Sequence, residues 1–281
     1  MPEDCPLFVE LCAGTAALSL RLHHPRARPP VSRMGAKTGY ADVILWCMGL
    51  RPGQGADRYL WCEPDAGVRL LLHAYRDREL ATAAAEIIRG WKDEDPRALW
   101  ERLRAEGPAQ CPPVDPREVA RWSWIVGHVD AHGTNLKPQY DPDYCGPWNP
   151  CEPSVWLAER YTNAPTLPAT IANDARAIEP PQLPPGVVVY IDPPYLDTTG
   201  YAHAFPRSEW VPIVRRWQAA GAMVVVSEAE PIPELMADGW HAVRIDGERK
   251  GQKRTFSKQQ AEWLTMSEPP AWKPSVQLGL W

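Results

Sequence analysis

Short apolar runs alternate with amphipathic stretches along this chain, and the alternation predicts its elements. Leu7 to Leu11 is an apolar run that ends in the small-residue turn Cys12-Ala13-Gly14-Thr15, and the Ala/Leu-rich stretch Ala16 to Leu22 follows. That order predicts a strand, a tight turn and a helix. Gly39 to Leu50 has helical spacing, and Arg58 to Cys62 reads as a second strand closed by Glu63-Pro64-Asp65. Ala66 to Trp91 predicts one long helix with Val68, Leu71, Leu72 and Tyr75 on one side. Further on, Ala169 to Ile171, Gly186 to Ile191, Ala222 to Ser227, Trp240 to Ile245 and Glu262 to Met266 read as strands, with helices over Val211 to Ala220 and Ile232 to Ala237. The runs GVVVYI and AMVVVS lack polar alternation, as strands buried on both faces do. Strands interleaved with helices predict an α/β fold with a mostly parallel sheet.

Between Lys92 and about Pro168 the character changes. Trp, Pro, Asn, Asp and Cys are dense, and only Pro96 to Leu103 and Pro116 to Val126 read as short helices, with Pro138 to Pro153 loop-like. This divides the chain into 1–91 and 166–281, forming one domain, and an inserted region over 92–165.

Composition adds few exclusions. With 281 residues, 44% hydrophobic and 23% charged, the chain can bury a sizeable core, so wholesale disorder is excluded. No apolar run reaches the ~18 residues of a membrane span, and Met1-Pro2-Glu3-Asp4 lacks a signal-peptide pattern. Seven cysteines, an odd number, point to free thiols in a reducing compartment. A cytoplasmic protein of a prokaryotic or phage-infected cell is expected, with no membrane partner. Cys111, His128, His132, Cys145 and Cys151 form a conceivable metal set, but without the CxxC knuckle of structural zinc sites no metal is assigned. The net charge of −5 argues against a protein that coats nucleic acid, yet its distribution is uneven. Arg21 to Lys37 holds five basic residues and no acid, and Arg244 to Lys258 holds six basic residues and two acids. Such runs are either solvated surface or a local basic footprint on an acidic body.

The sharpest chemical signal is Asp192-Pro193-Pro194-Tyr195, directly after the buried run Val187 to Ile191. Open α/β sheets bind ligands at the carboxyl ends of their strands. Two consecutive prolines hold the backbone extended and remove two N–H donors. Carbonyl acceptors, a carboxylate and an aromatic ring remain at one spot, a set suited to an exocyclic amino group. Such a nitrogen is a poor nucleophile because its lone pair feeds the ring. Accepting hydrogen bonds from both of its protons localises that lone pair, and acceptors aimed at the developing charge stabilise the transition state. Two other signals fail. R-M-G-A-K-T-G ends like a phosphate loop but has Ala36 before the lysine and Val31 at the first glycine position, and no G-x-S-x-G is present.

With DPPYLDTTGYAHAF, including Tyr201 and Phe205, the chain resembles the Dam-type DNA adenine-N6 methyltransferases, which use S-adenosylmethionine. Phe8-Val9-Glu10-Leu11-Cys12-Ala13-Gly14-Thr15 is similar to that family's cofactor loop, F-V-E-P-F-x-G-G, with Thr15 at the second glycine. Gly35-Ala36-Lys37 is similar to its G-G-K, although here it follows the cofactor loop instead of preceding it, and Glu228 stands after Ser227 where Asn is the pattern. The resemblance covers most of 5–75 and 165–267. It implies a Rossmann-like methyltransferase sheet, mostly parallel with an antiparallel last strand, and a target-recognition region inserted at 92–165. It implies Asp192, Pro193, Pro194 and Tyr195 as catalytic residues, with Tyr195 stacking on a flipped base. Cofactor contacts are implied for Phe8, Glu10, Cys12, Ala13, Gly14, Thr15, Lys37, Glu63 (ribose), Asp174 (adenine side) and Asp192. DNA contacts are expected from Tyr201, Arg121, His128, Asn135, Lys137 and the run Arg249, Lys250, Lys253 and Arg254. Alternatives on the same scaffold are amino methylation of cytosine N4, RNA or protein, and a nucleic-acid-binding relative without catalysis.

Overall fold

The computed structural model describes residues 4–31, 37–128, 153–195, 203–245 and 261–272. Seven strands form one mixed sheet: β1 (Phe8–Glu10), β2 (Tyr59–Cys62), β3 (Ala169–Ala172), β4 (Val188–Ile191), β5 (Met223–Glu228), β6 (His241–Arg244) and β7 (Trp263–Met266). Their spatial order is β3-β2-β1-β4-β5-β7-β6. The pairs β1–β2, β2–β3, β1–β4 and β4–β5 are parallel, while β7 runs antiparallel to both β5 and β6. Strand order reverses between β1 and β4, and such a switch point opens a crevice at the carboxyl ends of the strands.

The helices among the described residues are α1 (Ala17–His23), α2 (Ala41–Cys47), α3 (Ala66–Ala74), α4 (Arg78–Gly90), α5 (Pro96–Ala105), α6 (Pro116–His128), α7 (Pro153–Asn163), α8 (Arg207–Ala219) and α9 (Pro233–Ala237). Period-2 geometry sends alternate strand residues to opposite faces. Phe8, Val188, Tyr190 and Val225 enter the core shared with α1 to α7, whereas Val9, Val189, Ile191, Val224 and Val226 enter the core under α8 and α9. That two-sided burial is why these runs carry no polar alternation.

Two expectations need correction. The stretch 66–91 is two helices, because Asp77 adopts an extended backbone and its carboxylate caps Glu79 and Leu80. Arg76-Asp77-Arg78-Glu79 interrupts the apolar positions there, and the buried face changes phase between Tyr75 and Ala81. The segment at 153–163 forms α7, which packs on α4. Leu99, Leu103, Val119, Trp124, Leu157 and Tyr161 from 92–165 enter the same core as the sheet, so the described helices of this region build no core of their own. No described helix is long and apolar enough to cross a membrane.

Candidate active site

The cleft at the switch point is built first by the turn after β1. Leu11 N–H donates to the Tyr190 carbonyl and Ala13 N–H to the Cys62 carbonyl, each at 2.9 Å, which hangs the turn between β4 and β2. Gly14 (φ 50°) and Ala16 (φ 51°) are left-handed. The residue between them is Thr15, so the position where the resembling family has its second glycine carries none of the left-handed requirement. Gly14 N–H donates to Glu63 Oε2 at 2.9 Å, and Asp65 N–H to Glu63 Oε1 at 3.0 Å. Glu63 at the end of β2 therefore shapes the turn as well as facing the cleft.

The cleft opens to solvent at the carboxyl ends of the strands. Its walls include Glu10, the Cys12–Thr15 turn, Lys37, Glu63, Asp174 and Asp192, with Pro194 and Phe205. These are the expected cofactor residues except Phe8, whose ring is fully buried in the core. Thr15 is only 3% exposed and its Oγ1 has no protein hydrogen-bond partner. A buried hydroxyl without a partner on a cleft wall fits a polar ligand. Glu10 accepts from Ser19 N–H at 2.9 Å and from Ser19 Oγ at 2.5 Å, while Trp61 Nε1 donates to the same Oγ at 2.8 Å. Burial pushes the Glu10 carboxyl up to about 7 against these hydrogen bonds. Asp174 caps the turn Ala175–Ala177, accepting from Arg176 N–H at 2.9 Å. Arg176 also donates to Glu209 at 2.5 Å and to the Ala204 carbonyl at 2.8 Å, and lies over the Phe205 ring at 4.7 Å. It thereby ties the 203–205 segment to the cleft rim. The Cys12 thiol, on the same wall, is pushed well up by burial, which makes it a poor thiolate.

Asp192 stands at the end of β4. Lys37, 7% exposed and opening a 3-10 turn (Lys37–Gly39), donates to both of its oxygens at 2.7 and 2.8 Å. Although Gly35-Ala36-Lys37 stands after the turn in sequence, Lys37 still reaches the site. Burial raises the Asp192 carboxyl to about 6, opposed by Lys37 and reinforced by Glu262. The Tyr195 hydroxyl donates to Glu262 Oε1 and lies 3.2 Å from Ser227 Oγ; Lys37 Nζ sits 4.8 Å from its ring centre.

Glu262 was not singled out from sequence. β7 is antiparallel to β5, so the residue that precedes it falls at the edge where the parallel strands end. Glu228, at the end of β5, is buried with Arg207 3.8 Å away.

Arg121 needs correction as a DNA contact. It is 2% exposed, and its guanidinium is held by the Leu103 and Gly107 carbonyls at 2.8 and 3.1 Å and by Glu118 at 2.8 and 2.9 Å. It staples α6 to the end of α5 and cannot reach a phosphate. Tyr201, Asn135, Lys137, Arg249, Lys250, Lys253 and Arg254 lie outside the described residues, as do His132, Cys145 and Cys151. Among the described residues no group of three or more His, Cys, Asp and Glu side chains is placed to hold a metal ion. Searches against models of known protein families and against curated protein sequences found no match.

Proposed function

We propose that this chain transfers a methyl group from S-adenosylmethionine to the N6 amino group of an adenine flipped out of DNA. One observation carries the reading. Asp192 and Pro194, from the corner Asp192-Pro193-Pro194-Tyr195 that follows β4, line the same cleft as the turn after β1, so a carboxylate acceptor and a ligand pocket share one space. The parallel sheet with a reversed β7 agrees with the sheet the resemblance implies.

The residues present fit the cofactor. Thr15 Oγ1 offers an unmatched polar atom, Glu10 offers a carboxylate to an ammonium group, and Glu63 and Asp174 offer carboxylates to hydroxyl and amino groups. When bound, S-adenosylmethionine supplies a methyl on a positively charged sulfur, a leaving group that departs neutral.

Asp192 and the Pro193 carbonyl accept the two N–H protons of the target amine and concentrate its lone pair. Tyr195 offers its ring to the base. Lys37 holds Asp192 in place and keeps part of its charge compensated inside the protein. After transfer the nitrogen sheds one proton. A carboxylate raised to about 6 is a better first acceptor for it than an ordinary one.

The test is incubation of labelled S-adenosylmethionine with DNA, RNA and protein, followed by nucleoside mass spectrometry. N6-methyladenine in DNA is the expected product. Label in cytosine, RNA or protein would move the substrate class, and cofactor binding without transfer would sink the catalytic reading. Asp192→Ala should abolish transfer while cofactor affinity, read by calorimetry, stays within a few-fold. A variant that keeps the full rate would remove Asp192 from its role.

A further inference from the structure

The acid that opens β7 lies at the junction of the site's charged and aromatic groups. Glu262 is 5% exposed, and three side chains from three other parts of the chain converge on its Oε1. Ser227 Oγ, from β5, donates at 2.6 Å; the Tyr195 hydroxyl donates from the corner after β4; Lys37 Nζ approaches to 3.6 Å. The same Nζ holds both oxygens of Asp192. One ammonium is thus shared by two carboxylates, Asp192 at the cleft and the buried Glu262, and the second of them also fixes the aromatic ring of the corner.

We propose that Glu262 is a positioning residue: it anchors the Tyr195 hydroxyl and places a second negative charge beside the Lys37–Asp192 pair, so that it sets both the ring of the corner and the charge of the acceptor. The proposal rests on the amino-methylation reading for its kinetic consequence, and on geometry alone for its electrostatic one. A carboxylate has about four lone-pair sites, so Asp192, held at both oxygens by one ammonium, still has room for a further donor. Glu262, 3.6 Å from the same ammonium, competes with Asp192 for its charge. It also makes ionisation of Asp192 harder, since like charges disfavour one another. The other groups around Asp192 are Tyr195 on the same corner and, further off along the cleft wall, Glu10 and Cys12 on the β1 side and Tyr190 within β4.

Glu262→Gln separates the charge from the hydrogen bonds, because the amide oxygen can still accept from Ser227 and Tyr195. The decisive measurement is a carbon-detected titration of aspartate carboxyls in the full chain, with the Asp192 signal assigned by its disappearance in Asp192→Asn. In Glu262→Gln the Asp192 midpoint should fall by roughly half a pH unit or more, as expected when a nearby like charge is removed. The acid limb of the kcat/KM profile should move the same way. Tyr195→Phe, which keeps the carboxylate and removes the anchor, should lower kcat by about tenfold or more with a smaller change in KM, since sub-ångström misplacement acts on the reacting geometry. An unmoved Asp192 midpoint in Glu262→Gln, or full kcat in Tyr195→Phe, overturns the proposal. If the wild-type chain methylates no substrate, the functional reading fails on that result, while the titration still decides whether Glu262 sets the charge of Asp192.

Discussion

At the scale of single residues, two carboxyls govern the cleft and both are held above their ordinary range by burial. Glu10 stands at about 7 and Asp192 at about 6. A carboxyl that is raised in the folded chain favours the folded state most below its unfolded value, near 4, and that contribution is lost as the pH climbs through the folded value. For ligand binding the sign is opposite: a cationic ligand prefers the ionised carboxylate. Cofactor affinity should therefore strengthen as the pH rises through about 7, and Glu10→Gln should flatten that rise. Calorimetric titrations across the range check this, and an equally steep rise in Glu10→Gln would assign it to another group. The sequence showed Asp192, because prolines and a buried strand mark it, and Glu10 only through the resemblance of Phe8 to Thr15 to a cofactor loop. It hid Glu262 and Ser19, whose roles come from partners 67 and 9 residues away along the chain. Spacing patterns cannot carry such distances. Thr15 is the converse case, a departure in sequence at a position that needs no left-handed backbone, since the left-handed positions fall on Gly14 and Ala16.

At the scale of elements, the strands were legible since each is a short, mostly apolar run set between turn residues, whereas helix ends depended on caps. Asp77 is one aspartate among many until its backbone turns extended and its carboxylate meets two N–H groups. The packing of α3 on α6 supplies a sharper case. Gly67 sits in α3, and a Cβ built there would lie 2.5 Å from Trp122 Cε3. Glycine in a helix is ordinarily improved by alanine, by up to about 1 kcal/mol. Here the overlap with the indole reverses the sign, and Gly67→Ala should destabilise by roughly 1–3 kcal/mol, as overpacked sites do. Gly90, at the end of α4, has nothing within 4 Å of the same built atom, so Gly90→Ala should be neutral or stabilising. Thermal melts of the two variants should move apart. Equal shifts would show that propensity, and not the Trp122 ring, sets the cost at position 67.

At the scale of the whole molecule, the charge distribution decides how DNA could approach. The cleft is lined by Glu10, Glu63, Asp174 and Asp192, with Glu262 behind, so the pocket itself repels a phosphate backbone and attraction must come from its surroundings. The first basic stretch offers less than its residue count implies. Arg21 is bound to Asp42 at 2.5 and 2.7 Å, and Lys37 belongs to the site. Arg121 is sealed beneath α6. Arg26 and Arg28 remain exposed on the loop after α1. The weight of any phosphate binding therefore shifts to Arg249, Lys250, Lys253 and Arg254, a run with no acid among its six residues. Each phosphate neutralised releases counterions, so the logarithm of the binding constant should fall with the logarithm of salt by about 0.9 per phosphate. Replacing those four side chains by serine should flatten the slope by about 0.9 for every phosphate that is no longer neutralised, and should weaken all sequences alike. Fluorescence anisotropy on a duplex at several salt concentrations measures it. A slope unchanged by the fourfold replacement would place the phosphate-binding surface elsewhere, with Arg26 and Arg28 the next pair to remove.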